Sequence, residues 1–372
     1  MRVHHIINSY SLRAGGAERL ARGLHLALLE RGIDSHILGL ESHADDEVFQ
    51  ARSLGLRSSK SWRAFWGIRK YIKKECKEGD IVHAHLFPSN LYCGLLGHLM
   101  KGPLFVTEHS TSNRRRGTML GRLLDPLIYK ACNRVACISE GTELNLHEWM
   151  PITKEKTKVI WNGVSLAFTE IPRREAKKRL LVVSTGNLRE VKNYPAALHA
   201  MALLRGRTDI EFNYRIAGEG TDRQKLERLI NELGLSTCVK LLGFVDDTQG
   251  LLRKADVFLM PSSCEGFGLA AVEAMNAGLP IVASDVAGLR EVTGIDGQYA
   301  KLVNPNDPED IASKLSSLLN DPEQRKILGE RAFERSHKFS SERMVEEYIA
   351  FYSEHRLSHL PYGKGGCCVG RV

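Results

Sequence analysis

Residues 255–293, ADVFLMPSSCEGFGLAAVEAMNAGLPIVASDVAGLREVT, constrain the fold of this chain more than any other stretch. Val257 to Met260 form a short apolar run that Pro261 to Cys264 break. Gly266 and Gly268 permit a tight turn, and Leu269 to Ala277, with alanines at 270, 271 and 274, favour a helix that Gly278 stops. LPIVAS then reads as a second buried strand. Strand, glycine-containing loop, helix and strand in that order predict a parallel sheet whose loop lies at the carboxyl edge of the strands, where ligands bind.

Two carboxylates bracket the helix. Glu265 lies before its first turn and Glu273 eight residues later, roughly 12 Å away along an ideal helix. At that separation they share neither a proton nor a metal ion, so they are expected to meet different parts of one elongated ligand. The free N–H groups and positive dipole end of the first turn suit a phosphate. A nucleotide sugar has the matching layout, with hydroxyls at both ends and phosphates between them.

The pattern of Glu, seven residues, Glu within EGFGLAAVEAMNAG, flanked by ADVFLMPS and GLPIVAS, resembles the signature of the retaining glycosyltransferases of family 4. The resemblance spans roughly residues 1–350. It implies an α/β chain of the GT-B fold, two Rossmann-like doubly wound domains facing a cleft, and a site assembled from both. In that site Glu265 would meet the donor sugar hydroxyls and Glu273 the ribose, while Gly266, Phe267, Gly268 and Leu269 offer backbone donors. Gly15 and Gly16 in GGAE resemble the first glycine loop, near the reacting carbon. His109, at the end of the strand PLFVTEHST, matches the histidine that lies against the donor sugar.

Arg189 and Lys192, in the loop after the strand ending at Gly186, are the two cations that a leaving diphosphate requires. The family pattern places an arginine directly after the glycine, where this chain has Asn187. Gly218 and Gly220 would lie beneath the nucleotide, and the backbone around Phe244 and Val245 would meet the base. Ala287 and Gly288 stand where relatives show two glycines, and Glu291 matches the acidic position that follows. Asp246 and Asp247 are adjacent, unlike the DxD metal motif of the other large glycosyltransferase fold, so no cofactor and no obligatory metal are expected. His83 and His85 share one face of a strand, but the sequence offers no third ligand, which favours structural roles.

The net charge of +8 is uneven: Lys and Arg outnumber Asp and Glu by 24 to 17 over residues 1–170 and by only 28 to 27 thereafter. An anionic membrane surface or phosphorylated acceptor fits this excess better than nucleic acid, for which no motif is present. In the basic helix KSWRAFWGIRKYIKKE, at 60–75, Trp62, Phe65, Trp66, Ile68 and Ile72 fall on one arc that either covers the sheet or lies on lipid. The cluster RRRG at 114–117 suits phosphate or solvent equally. The eight cysteines show no CxxC or Cys/His metal spacing, so most are expected to be buried small hydrophobes. With no apolar run of about 18 residues and no leader-like N-terminus, a cytoplasmic chain is expected, either free or at the inner face of the cytoplasmic membrane.

These readings predict an acceptor domain at 1–168, a nucleotide-sugar domain at 172–340, a terminal helix at 341–357 packing back on the first domain, and a flexible tail at 358–372. The expected reaction moves a sugar with retention from a nucleoside diphosphate to a glycan or lipid-linked acceptor, in cell-surface polysaccharide or lipopolysaccharide assembly. The alternatives are a nucleotide-sugar epimerase or hydrolase on the same fold and a non-catalytic sugar-binding or scaffold homologue.

Overall fold

The computed structural model describes residues 1–11, 15–41, 48–111, 116–174, 178–207 and 210–357. The expected tail, with Cys367 and Cys368, lies outside them, as do Arg114 and Arg115 of the basic cluster. Two all-parallel sheets form the frame, as the α/β reading requires. The first contains β1 (Arg2–Ile7), β2 (Asp34–Glu41), β3 (Ala51–Leu56), β4 (Ile81–His85), β5 (Leu104–Glu108), β6 (Arg134–Cys137) and β7 (Thr157–Val159), in the order β3-β2-β1-β4-β5-β6-β7. The second contains β8 (Arg179–Thr185), β9 (Glu211–Ala217), β10 (Val239–Gly243), β11 (Val257–Met260), β12 (Ile281–Ser284) and β13 (Lys301–Val303), in the order β10-β9-β8-β11-β12-β13.

Both orders reverse beside the first strand, between β1 and β4 and between β8 and β11. That reversal opens a crevice at the carboxyl ends of the strands. The central strands are apolar runs because helices cover both faces: every residue of β4, β5, β11 and β12 is buried. The edge strand β3, ARSLGL, is largely exposed and has no such run.

Helix α1 (Gly16–Glu30) follows β1, α2 (Trp62–Glu75) follows β3, and α3 (Ser89–Leu95) follows β4. Helix α4 (Met119–Ala131) precedes β6, and α5 (Glu140–Trp149) follows it. The second sheet is served by α6 (Tyr194–Leu204), α7 (Arg223–Glu232), α8 (Thr248–Lys254), α9 (Leu269–Asn276), α10 (Ala287–Thr293), α11 (Pro308–Asn320) and α12 (Pro322–Ser336). The inward face of α2 consists of Ala64, Ile68, Tyr71 and Ile72, whereas Trp62 and Trp66 are 69% and 52% exposed. The arc read from the sequence is therefore split: Ile68 and Ile72 cover the sheet, and the two tryptophans face solvent.

The chain passes between the sheets at 164 and again at 340, side by side. Val164 donates its N–H to the carbonyl of Phe339 and accepts one from Ser341, at 2.9 and 2.8 Å. Helix α13 (Ser341–Leu357) then lies on the first sheet, burying Met344, Val345, Tyr348, Phe351 and Tyr352 against Val3, Leu24, Phe105 and Ala136. The Tyr352 ring stacks on Phe105 with centroids 5.6 Å apart, and its hydroxyl lies 2.7 Å from His83 Nδ1. A buried hydrogen bond of this kind is worth about 1 kcal/mol net. Tyr352→Phe should lower unfolding free energy by about 1–2 kcal/mol in denaturant titration, and an unchanged midpoint would show that the hydroxyl does not anchor the helix.

Candidate active site

The two crevices face one another across a cleft of about 610 Å³. Its lining includes Gly15, Gly16 and His109 from the first half, and Arg189, Lys192, Gly218, Gly220, Phe244, Val245, Glu265, Gly266, Phe267, Gly268, Leu269 and Glu273 from the second. The structure thus brings every site residue named from the sequence to one cavity. What each contributes differs.

Glu265 stands between β11 and α9. Its carboxylate accepts a hydrogen bond from Lys192 Nζ at 2.5 Å, in a pair whose side chains are 12% and 22% exposed respectively. Lys192 reaches it from a short 3-10 turn, Glu190–Lys192, closed by Asn193 in the left-handed region at φ 51°. The carbonyl of Glu265 accepts from Thr111 Oγ1 of the first half at 2.7 Å. A Cβ at Gly288 would lie 1.9 Å from that carbonyl oxygen, and one at Gly266 would lie 2.7 Å from the carbonyl oxygen of His109. Gly268, at φ 92°, turns the chain into α9 in a conformation that L side chains rarely adopt.

Gly218 and Gly220 serve the packing of two loops before they serve a ligand. A Cβ on either would fall 2.0 or 2.2 Å from the carbonyl oxygens of Gly186 and Leu188. The loops after β8 and β9 therefore meet backbone to backbone as the floor of the cleft. Phe267 contributes only backbone: its ring is 2% exposed and packs edge-on against Phe339, with centroids 5.4 Å apart. Phe244, by contrast, is 55% exposed at the rim. Leu269 faces the first domain: a Cβ added to Gly16 would lie 3.5 Å from its Cδ1.

Glu273 lies midway along α9, where burial pushes its carboxyl up and the positive charge of Arg19 on α1 partly offsets this. Arg189 is exposed at the rim, and its charge acts across the cleft on Glu18, which burial likewise pushes up. Glu291 joins the halves directly: its two carboxylate oxygens accept the N–H groups of Glu140 and Gly141, at the start of α5, at 2.8 Å each. Burial raises that carboxyl too, and the two backbone hydrogen bonds lower it.

Sequence reasoning missed Arg19, Asn162, Thr185 and Glu219, which also line the cleft, and Thr111, which bridges it. Arg19 carried a signal, being in the first turn after GGAE, and Glu219 lies between Gly218 and Gly220, whereas Thr185 has no motif. Asn187, noted as a departure, lines the cleft as well. Arg116 is not part of a solvated basic cluster, because it pairs with Glu108 at 3.1 Å with both side chains 8% exposed. A third histidine does exist: His5 lies with His83 and His85, their nitrogens within 4.8 Å of one another. The sequence hid it because the contact depends on the pairing of β1 with β4.

The charge of Glu273 has a predictable cost. A carboxyl whose folded pKa is raised weakens folding when ionised; the penalty is absent below the unfolded pKa and complete above the folded one. Glu273→Gln should leave stability unchanged near pH 4 and equal or increase it near about pH 8 in paired denaturation curves. A loss of stability confined to the higher pH would contradict this.

Two family models account for most of the chain. Residues 14–168 match Glycosyltransferase Family 4, and residues 168–335 match Glycosyl transferases group 1. An uncharacterised glycosyltransferase of Methanocaldococcus jannaschii is 29% identical over 337 residues, covering 87% of this chain and 91% of that protein. The N-acetylgalactosamine-N,N'-diacetylbacillosaminyl-diphospho-undecaprenol 4-alpha-N-acetylgalactosaminyltransferase of Campylobacter jejuni is 25% identical over 366 residues, covering 92% and 97%. Among solved structures, Anabaena HepE in complex with UDP superposes with a TM-score of 0.79 at 17% identity, covering 95% of this chain and all of that one. The doubly wound halves, the cleft between them and these matches together place the chain in the group 1 glycosyltransferases of the GT-B fold.

Proposed function

We propose that this enzyme transfers a sugar, with retention at the anomeric carbon, from a nucleoside diphosphate sugar to a lipid-linked or oligosaccharide acceptor in cell-surface polysaccharide or lipopolysaccharide assembly. The observation that carries the reading is the Lys192–Glu265 pair just before α9, with Glu273 at the middle of that helix lining the same cleft. That arrangement supplies, in order, a carboxylate for sugar hydroxyls, cations and helix N–H groups for a diphosphate, and a carboxylate for a ribose. The UDP bound to HepE and the diphospho-undecaprenol acceptor in the name of the Campylobacter relative support the two substrate classes.

In this reading the bond from the anomeric carbon to the diphosphate breaks, and Lys192 and Arg189 stabilise the charge growing on the departing oxygen. The acceptor hydroxyl enters on the same face, and its proton passes to that oxygen. Two cations and a helix terminus supply the positive charge, so no divalent ion is required. Before a diphosphate arrives, Glu265 keeps Lys192 in place.

The acceptor side has a surface suited to anionic lipid. Trp62 and Trp66 of α2 and Met119, Leu120, Leu123 and Leu127 of α4 are 41–76% exposed, on helices that both pack on α3. Arg63, Lys70, Lys73, Lys74 and Arg122 are exposed on the same two helices, and the Arg69 guanidinium lies over the Trp66 ring at 5.5 Å. Such a surface would hold the enzyme at a membrane without entering it, and no helix of the described residues is long and apolar enough to cross one.

Glu265→Ala and Lys192→Ala should each lower kcat by about 100-fold or more while leaving the circular dichroism spectrum intact. Near-normal turnover in either variant would refute the site assignment. The wild-type protein should sediment with anionic but not neutral vesicles, and Trp66→Ala with Leu123→Ala should release it; equal binding to both vesicle types, or to neither, would remove the membrane surface.

A further inference from the structure

Four histidines line up on one face of the first sheet. His5 of β1 pairs in register with His83 of β4, and His85 lies two residues further on. His85 pairs with Thr107 of β5, two residues before His109. Neighbouring parallel strands point registered side chains the same way, so the imidazoles converge. His5 Nδ1 lies 3.1 Å from His85 Nε2, and His85 Nδ1 lies 3.3 Å from His109 Nε2. His83 stands beside this chain but outside it, with both nitrogens at 2.7 Å from hydroxyls, of Thr107 and Tyr352. The end atoms of the chain, His5 Nε2 and His109 Nδ1, are buried and meet no partner among the described residues.

Burial holds all of these rings neutral, lowering the pKa of His83 and of His109 to about 3 and those of His5 and His85 well below the usual range. A neutral imidazole carries one N–H and one lone pair. Each of the two N···N contacts takes one proton, so the three rings have only two arrangements, with every proton directed toward His109 or every proton directed toward His5. Each arrangement leaves one buried terminal N–H, on His5 in the second and on His109 in the first, and because such an orphan is costly the ring that can reach an acceptor decides: His5 is fully buried, whereas His109 is partly exposed. The first places the terminal N–H on His109, the one ring of the three that lines the cleft, where a ligand oxygen can accept it.

We propose that His5 and His85 are positioning residues that fix His109 as its Nδ1–H tautomer, so that it offers the cleft a hydrogen-bond donor toward a sugar oxygen. In this arrangement His5 Nδ1–H donates to His85 Nε2, and His85 Nδ1–H donates to His109 Nε2. The proposal rests on the reading of the cleft as a sugar-transfer site for what the N–H meets, though not for the tautomer itself. A metal ion held by His5, His83 and His85 would be incompatible with it, because every imidazole nitrogen of His83 and His85 already has a hydrogen-bond partner.

Long-range 15N–1H correlation spectra of histidine-labelled full-length protein without substrate test the tautomer, with His109 identified by its His109→Gln variant. His109 is expected to carry its proton on Nδ1; a proton on Nε2 would overturn the proposal, as would a stoichiometric metal ion in the purified protein. His85→Phe should lower kcat/KM for sugar transfer about tenfold, the rate equivalent of one hydrogen bond. His85→Gln, which keeps one donor and one acceptor, should recover activity to within about twofold of wild type. Equal losses in the two folded variants would reduce His85 to a packing role and overturn the proposal. If His85→Phe fails to fold, the wild-type spectrum still decides. Failure of the wild-type protein to transfer sugar from any nucleoside diphosphate donor would sink the functional reading instead, leaving the tautomer result standing.

Discussion

The placement of Glu265 is the constraint on which the rest of the cleft depends. Its carboxylate is held by Lys192, its carbonyl is held from the other half by Thr111, and the absence of a side chain at Gly288 lets α10 close behind it. A Cβ at Gly266 would collide with the His109 carbonyl, so the loop that carries Glu265 is also a surface on which the two halves rest. The position of the carboxylate and the closure of the cleft are thus set by the same contacts. Glu291, capping α5 with both oxygens, adds a second tie between the halves from the far side of β12.

The two sides of the cleft differ in electrical character. The second half carries charges that can be redistributed when an anion arrives: Lys192, Arg189, Glu265 and Glu273. The first half presents His109, which burial keeps neutral, and Arg19, whose charge acts on Glu273. In the proposed reading a neutral donor would lie beside the sugar and cations beside the diphosphate, the division that a glycosyl transfer needs. Positive charge would then stand where negative charge grows, and a neutral ring beside the oxocarbenium-like carbon. Burial raises the carboxyls of Glu18, Glu273 and Glu291, so ionising them in and around the cleft works against folding.

Much of this was legible in the sequence where a motif and a local element coincide. The 257–284 unit could be read because its strands are uninterrupted apolar runs and its helix is bounded by two glycines, Gly268 and Gly278, both at positive φ. The glycines at 218 and 220 were recognised as a close approach, but the approaching group is another loop, which only the pairing of β8 with β9 reveals. The same limit hid His5 and Thr111, whose partners His85 and Glu265 lie far along the chain. Helix α2 was misread in part because it is apolar on two sides: Ile68 and Ile72 face inward while Trp62 and Trp66 face outward, and a periodicity argument merges the two into one arc. Helix α4 contains Pro126, and no helical reading was made there.

The central claim is that the second half binds a nucleoside diphosphate through Lys192, Arg189 and Glu273 without a metal ion. Calorimetric titration of the wild-type protein with UDP, GDP and ADP in the presence of a chelator tests it most directly. The account predicts saturable one-to-one binding to one of the three, unaffected by the chelator. Binding that appears only after a divalent ion is added would contradict the metal-free site, and no binding to any of them under either condition would contradict the donor site itself.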